Sequence, residues 1–248
     1  MRTIGVLGGM GPAAAADFYR RIADGHGALR DQDHPPCILY SATQVPDRTA
    51  FLLGDGPDPT SELVGAARLI EAAGADFIAM PCNSAHAFLA PMREAVAIPI
   101  LDMISLAAAA VARVVPQSIR VGVLAASGAV EVGLYSEPLR NHGREPLYPE
   151  PVVQNEVMAA IKAVKGGGSS GGQAPEPGGS DARLIAAGSH LAERGAECII
   201  MGCTEIPLAL AASDCPVVAI DGNQVLVDTT LALAIGRLDF EEIEHAVR

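Results

Sequence analysis

The sequence predicts an α/β protein made of two similar halves, each a Rossmann-like unit with a mostly parallel sheet, and a ligand cleft between them. Three observations carry this expectation. Short apolar runs alternate with Ala-rich helical stretches along the chain. The runs are apolar at consecutive positions, as strands covered on both faces must be. The second half also repeats motifs of the first at nearly constant spacing.

In chain order, the strands are expected at 3–8 (TIGVLG), 37–42 (CILYSA), 76–81 (DFIAMP), 98–102 (IPILD), 119–126 (IRVGVLAA), 197–202 (ECIIMG) and 215–221 (CPVVAID). Helices are expected at 13–24, 60–73, 85–95, 104–114, 151–164, 181–194 and 223–235. Glycines and prolines punctuate the strand ends, where the chain must turn. The motif IGVLGGMGP at 4–12 returns as VGVLAASGA at 121–129, and GADFIAMPCNSAH at 74–86 returns as GAECIIMGCTEIP at 195–207. Gly5 and Gly122 stand 117 residues apart, Pro99 and Pro216 117, Cys82 and Cys203 121. This spacing predicts a first α/β domain over 1–103, completed by 215–248, and a second over 104–214. Clefts between such domains are where ligands tend to bind. Residues 166–180, GGGSSGGQAPEPGGS, have almost no apolar side chain to bury and are expected to form a flexible loop. It is read as a surface insertion or, because it follows Lys165 directly, as a lid over the cleft.

Half of the 248 residues are hydrophobic and 19% are charged, enough for one or two sizeable cores. Without Trp, and with Ala and Gly abundant, those cores must be built of small aliphatic side chains. A net charge of −12 argues against nucleic acid or an anionic membrane as partner. It does not argue against a small anion, since one local arginine can capture a carboxylate. No apolar run reaches the roughly 18 residues of a membrane span. The N-terminal MRTIGVLGGMGP reads as a first strand rather than a signal peptide. Five cysteines without a CxxC make a disulfide framework or zinc ribbon unexpected, and a reducing cytoplasm is the expected compartment.

Three features carry possible chemistry. The loop GGMGPAA holds Gly9-x-Gly11-x-x-Ala14 between a strand and a helix, a loose match to a dinucleotide fingerprint. The second strand ends YSATQ, without the acidic residue a ribose needs, so the loop is read as backbone N–H groups approaching a small anion. A plain tight turn, with Pro12 at the first helical position, is the other reading. Cys82 and Cys203 are each the first polar residue after an apolar strand, at the carboxyl end where open sheets bind ligands. A helix N-terminus there is expected to favour the thiolate. Either cysteine alone reads as a buried, inert packing residue; Cys37 and Cys198, inside apolar runs, and Cys215, at the start of one, are read so. Only Cys82 and Cys203 hold equivalent positions in the two halves. A metal site using Cys82, His86 and Cys203 matches no zinc spacing, and only Glu205 is acidic nearby, so His86 is read as an ordinary helix residue near the cleft. Two thiols on opposite walls of a cleft suit inversion of a stereocentre: one removes a proton from one face and the other returns one to the opposite face. A thiol's reference pKa of about 8.5 lets it serve as either acid or base.

The motifs GVLGGMGP, VPDRTAFLLG, PCNSAH, VKGG and GCTEIPL, in this order over roughly residues 4 to 221, together resemble the aspartate/glutamate racemase family, in particular its pyridoxal-independent aspartate racemase branch. The resemblance implies two Rossmann-like domains, an interdomain active site, no cofactor, no metal and a homodimer. It implies Cys82 and Cys203 as the two acid/base residues acting on a small dicarboxylic amino acid, aspartate first and glutamate second. Arg48 matches the arginine that recognises the side-chain carboxylate, which a planar guanidinium can grip with two bonds. Lys165 matches the lysine of a similar K-x-G context. Asn83, Ser84 and Thr204 match positions that hold the α-carboxylate and amino group, and Met10 belongs to the loop lining the cleft. Leu52 and Leu53, after Arg48, are candidates to shape the side-chain pocket. Other chemistries compatible with these residues are isomerisation of a diacid, decarboxylation, which needs one cysteine, and a non-catalytic anion-binding or redox-sensing module.

Overall fold

The computed structural model describes residues 1–167 and 179–247. The chain forms β1 (Ile4–Gly8), α1 (Pro12–His26), β2 (Cys37–Ser41), α2 (Arg48–Leu52), α3 (Thr60–Ala72), β3 (Phe77–Ala79), α4 (Leu89–Ala95) and α5 (Met103–Val114). It continues with β4 (Arg120–Ala125), α6 (Ser127–Glu131), α7 (Ser136–Asn141), β5 (Glu145–Leu147), α8 (Pro151–Lys165), α9 (Ser180–Glu193), β6 (Cys198–Gly202), α10 (Ile206–Ala209), β7 (Val218–Asp221), α11 (Gly222–Ala234) and α12 (Phe240–Val247). Two parallel sheets result, ordered β2-β1-β3 and β5-β4-β6-β7. The expected α/β class with parallel sheets is what the chain adopts. The low-complexity stretch expected to be flexible lies, over 168–178, outside the described residues. Among the described residues no helix is long and apolar enough to cross a membrane.

Strands β1, β3 and β6, and β4 beyond Arg120, are buried on both faces because they are apolar at consecutive positions, whereas β2, β5 and β7 at sheet edges are partly exposed. In β1, Leu7 packs toward Leu63, Ala67 and Ile70 of α3, whereas Ile4 and Val6 pack toward Phe18 and Ile22 of α1. In β6, Cys198 and Ile200 face one core while Ile199 and Met201 face another. Glycines bring helices close to the strands: a Cβ on Gly8 would stand 2.4 Å from the Ala15 Cβ. The Ala-rich α5 serves both halves. Its Met103 and Leu106 join the core of the first sheet, and its Ile104, Ala107, Ala108 and Val111 join that of the second. Asp102 caps it, its Oδ1 accepting from the Ile104 and Ser105 N–H groups at 3.0 and 3.1 Å.

Three expectations change. Residues 215–221 do not complete the first sheet: β7 pairs with β6, Cys198 opposite Val218 through Met201 opposite Asp221. The helix after it, α11, does pack on the first half, with Leu226, Val227 and Leu231 in the core of Phe18 and Ile22. Thus β7 takes an edge of the second sheet, where β6 offers it hydrogen bonds, while α11 packs on the apolar face of α1. The run at 98–102 contributes only a bridge, Ile100 against Ile78. The helix expected over 85–95 is a 3-10 segment over Asn83–Phe88 followed by α4.

Candidate active site

The strand ends place the side chains. At the end of β1, Gly9 adopts φ +91°, and a Cβ there would stand 2.4 Å from the Ala42 backbone nitrogen beyond β2. Only glycine fits this turn. Beyond β3 the chain runs through Met80 and Pro81 to Cys82, which opens the 3-10 segment; beyond β6 it reaches Cys203, Thr204 and Glu205 before the short α10. All eight side chains expected from the sequence (Met10, Arg48, Cys82, Asn83, Ser84, Lys165, Cys203 and Thr204) line one tight pocket between the halves, with a volume of only about 10 Å³. Thr49, Ala126 and Glu205 complete its wall. The two cysteines are 5% and 7% exposed, whereas Lys165 at the rim of the pocket is exposed.

Arg48 is buried at the start of α2. Its Nη1 donates to the Val45 and Pro46 carbonyls at 3.3 and 2.9 Å, and its Nη2 to the Met10 carbonyl at 3.2 Å. Its Nε has no hydrogen-bond partner, and among the described residues no carboxylate lies within ion-pair distance of it. A buried cation held only by neutral dipoles is an attractive seat for an anion.

Asn83 is fixed from the second half: the hydroxyl of the fully buried Tyr135 donates to its Oδ1. Its Nδ2 is buried without a hydrogen-bond partner among the described residues. His86, far from being an ordinary helix residue, has a specific task. Its Nδ1 donates to the Cys82 carbonyl at 2.9 Å and its Nε2 accepts from the Met103 N–H at 3.1 Å. Burial pushes its pKa down, against the pull of Asp102, so the neutral ring with one donor and one acceptor is the stable form. Both ring nitrogens are committed to backbone, which removes His86 as a metal ligand beside Cys82.

Cys203 departs from expectation. Its thiol donates to Glu205 Oε2 at 2.9 Å. Burial and then the Glu205 charge push its pKa well above the ordinary thiol value, and Lys165 offsets part of this. The predicted thiolate-favouring strand end is outweighed: the Glu205 backbone N–H lowers the thiol's pKa, but α10 is one turn long and starts only at Ile206. Glu205 Oε1 in turn lies 3.7 Å from Lys165 Nζ. Burial lowers the lysine's pKa, but the fields of Glu205, Cys203 and Cys82 outweigh it and hold the ammonium above its usual value. Thr204 Oγ1 lies 3.5 Å from the Pro81 carbonyl and 3.4 Å from Glu205 Oε2, tying the two strand ends together. The glycine loop faces this carboxylate: a Cβ on Gly11 would stand 3.0 Å from Glu205 Oε1. A carboxylate against the loop is unsuited to a pyrophosphate, which disposes of the dinucleotide reading. Glu205 is legible in the sequence as the residue two after Cys203; Thr49, Ala126 and Tyr135 carry no sequence signal.

The family model described as Asp/Glu/Hydantoin racemase matches residues 7–230. The broad specificity amino-acid racemase RacX of Bacillus subtilis is 28% identical over 167 residues, 64% of this chain and 70% of the relative. The structure of an aspartate racemase from Picrophilus torridus superposes with a TM-score of 0.82 at 24% identity, over 98% of each chain. An aspartate racemase homologue from Pyrococcus horikoshii gives 0.72 at 21% identity, over 95% of this chain and 100% of that one. With the family match running through both sheets and the cavity between them, the chain belongs to the Asp/Glu/hydantoin racemase family and is an isomerase.

Proposed function

We propose that this protein racemises an acidic amino acid, aspartate in the first place and glutamate in the second, without a cofactor, by proton exchange between Cys82 and Cys203 on opposite faces of the α-carbon. One observation carries the reading. The two cysteines follow corresponding strands of the two sheets, β3 and β6, and line the same cavity as a buried arginine that has no carboxylate partner among the described residues. Arg48 takes the side-chain carboxylate in this reading, its Nε being free to turn a single contact into a two-point grip.

The difficulty of the reaction is the weak acidity of the α-proton. Without an imine to delocalise the carbanion, charge must be drawn into the α-carboxylate by donors already aimed at it. The unpartnered amide N–H of Asn83, the hydroxyls of Ser84 and Thr204 and the ammonium of Lys165 are the groups available in the cavity wall. Exclusion of water strengthens each of them. Because Arg48 and both cysteines are less than a tenth exposed, admission of a substrate requires the halves to part and close again. The five cysteines are all unpaired, in keeping with a reducing cytoplasm. The homodimer rests on the family resemblance, and sedimentation of a monomeric mass at working concentration would reject it.

Incubation of L-aspartate, L-glutamate and maleate in D2O tests the reading. Deuterium at the α-carbon together with loss of chirality is the expected result, and isomerised maleate with untouched amino acids would replace racemisation by diacid isomerisation. Cys82→Ala and Cys203→Ala should each abolish racemisation, and near-wild-type turnover in either variant excludes the two-base mechanism.

A further inference from the structure

The cysteine pair is symmetrical by the repeat, but its surroundings are not. Two residues after Cys203 stands Glu205; two residues after Cys82 stands Ser84. Glu205 is buried, with Oε2 at 2.9 Å from Cys203 Sγ and Oε1 at 3.7 Å from Lys165 Nζ. Its Oε1 has no hydrogen-bond donor among the described residues, and the missing side chain of Gly11 leaves it room. A buried carboxylate set against one of two equivalent thiols makes the two ends of the reaction unequal.

We propose that Glu205 is a positioning residue that keeps the proton on Cys203 in the substrate-free enzyme, so that Cys203 begins as the acid and Cys82 as the base. The proposal rests on the two-cysteine reading above. Starting from that state, Cys82 takes the α-proton as the Cα–H bond breaks, and the electron pair stays on the substrate. Cys203 then gives its proton to the opposite face of Cα and is left as a thiolate beside the Glu205 carboxylate. Two negative groups at this distance repel each other, and Lys165 offsets only part of the repulsion. When the inverted product leaves, the enzyme carries its proton on Cys82. Cys203 must regain a proton and Cys82 lose one to solvent before the same enantiomer can react again. The opposite enantiomer reacts from the swapped state, which Glu205 makes the scarcer of the two.

Among the described residues, the charged and titratable groups facing Cys203 are Glu205, Lys165, Tyr135 and, across the cavity, Cys82 and Arg48. Two substitutions therefore push Cys203 in opposite directions. Glu205→Gln keeps the volume and an oxygen to accept the thiol but removes the charge, so Cys203 ionises more easily. Lys165→Met removes the compensating cation, so Cys203 ionises less easily. The measurement is iodoacetamide alkylation of the folded protein over a pH series, with the Cys203 and Cys82 peptides followed separately by mass spectrometry. In Glu205→Gln the Cys203 midpoint falls and its rate at neutral pH rises roughly tenfold; in Lys165→Met the midpoint rises. The alkaline limb of the racemisation pH profile moves with each midpoint. A Cys203 midpoint that stays put in both variants, or moves the same way in both, overturns the proposal. Should Glu205→Gln fail to fold, an unmoved midpoint in Lys165→Met alone overturns it. Alkylation needs no turnover, so failure of deuterium exchange in the wild type refutes the racemase reading while leaving this ionisation result to be judged by itself.

Discussion

Gly128 makes a prediction that runs against helix propensity. It lies in α6 with no positive φ, so Gly128→Ala is conformationally allowed and by propensity alone should stabilise the helix by about 0.5–1 kcal/mol. The packing says otherwise. A Cβ at Gly128 would stand 2.9 Å from Thr49 Cα, 3.0 Å from Leu52 Cβ and 3.2 Å from the Thr49 carbonyl oxygen, all on α2 of the first half. Ordinary carbon contacts are about 3.5–4.0 Å, so α2 and α6 must separate by roughly 0.5–1 Å. Two of the three contacts are with backbone, which cannot swing aside. Overpacking of this kind costs about 1–3 kcal/mol, which outweighs the propensity gain and leaves a net loss of up to about 2.5 kcal/mol. At about 2–4 °C per kcal/mol for a chain of this size, the melting temperature should fall, by up to about 10 °C. Arg48 is the first residue of α2 and moves with it, and misplacement of a positioning group by about 1 Å can cost about a hundredfold in rate. We expect kcat/KM for aspartate to fall roughly ten- to hundredfold, although Gly128 does not line the cavity. Thermal denaturation and steady-state racemisation check both numbers. A raised melting temperature with unchanged kcat/KM would refute the claim that the α2–α6 contact sets the position of Arg48.

Arg48→Lys keeps the charge but loses the planar fork and its three carbonyl tethers. It should cost about 2–3 kcal/mol of carboxylate recognition, read as a rise of about 30- to 150-fold in KM for aspartate and a matching loss of succinate inhibition; undiminished succinate binding would show that Arg48 holds no side-chain carboxylate. His86 should make stability depend on pH below neutrality. Its folded pKa lies below its ordinary 6.5, so as pH falls under 6.5 the unfolded chain takes up a proton that the folded chain refuses. Stability from this group is complete above 6.5 and declines as pH falls toward the folded value, at no more than about 1.4 kcal/mol per pH unit. Denaturation midpoints across this window should lose that slope in His86→Gln, and a slope that survives the substitution assigns it to another group.

Much of the site is legible in the amino-acid sequence. Composition and the regular spacing of the glycine, cysteine and proline motifs locate seven apolar runs, six of which form strands. The elements that escape are short ones. Among them, α2, α6 and α7 have five or six residues, too few to display a helical period. The three-residue β5 contains Pro146, which removes a ladder donor and is admissible only because β5 is a sheet edge. The run at 98–102 has the composition of a strand, but Pro99 and its place beside β3 allow it one bridge.

The family resemblance pointed to Met10, Arg48, Asn83, Ser84, Lys165 and Thr204 of the cavity wall; the residue pattern alone carried the α/β class and the corresponding strand-end positions of Cys82 and Cys203. These are local matters: periodicity fixes burial, and the residue after an apolar strand has to emerge at the sheet's carboxyl end. That β7 pairs with β6 while α11 returns to α1 is visible only in the folded chain, since such pairings are settled by which edge and which face remain available. The same holds for the state of Cys203. By chain position alone, a cysteine before a helix is expected to favour the thiolate. In the fold, a buried carboxylate at 2.9 Å and an α10 of one turn favour the thiol instead, because charge stabilisation depends on distance and solvent in three dimensions rather than on position along the chain.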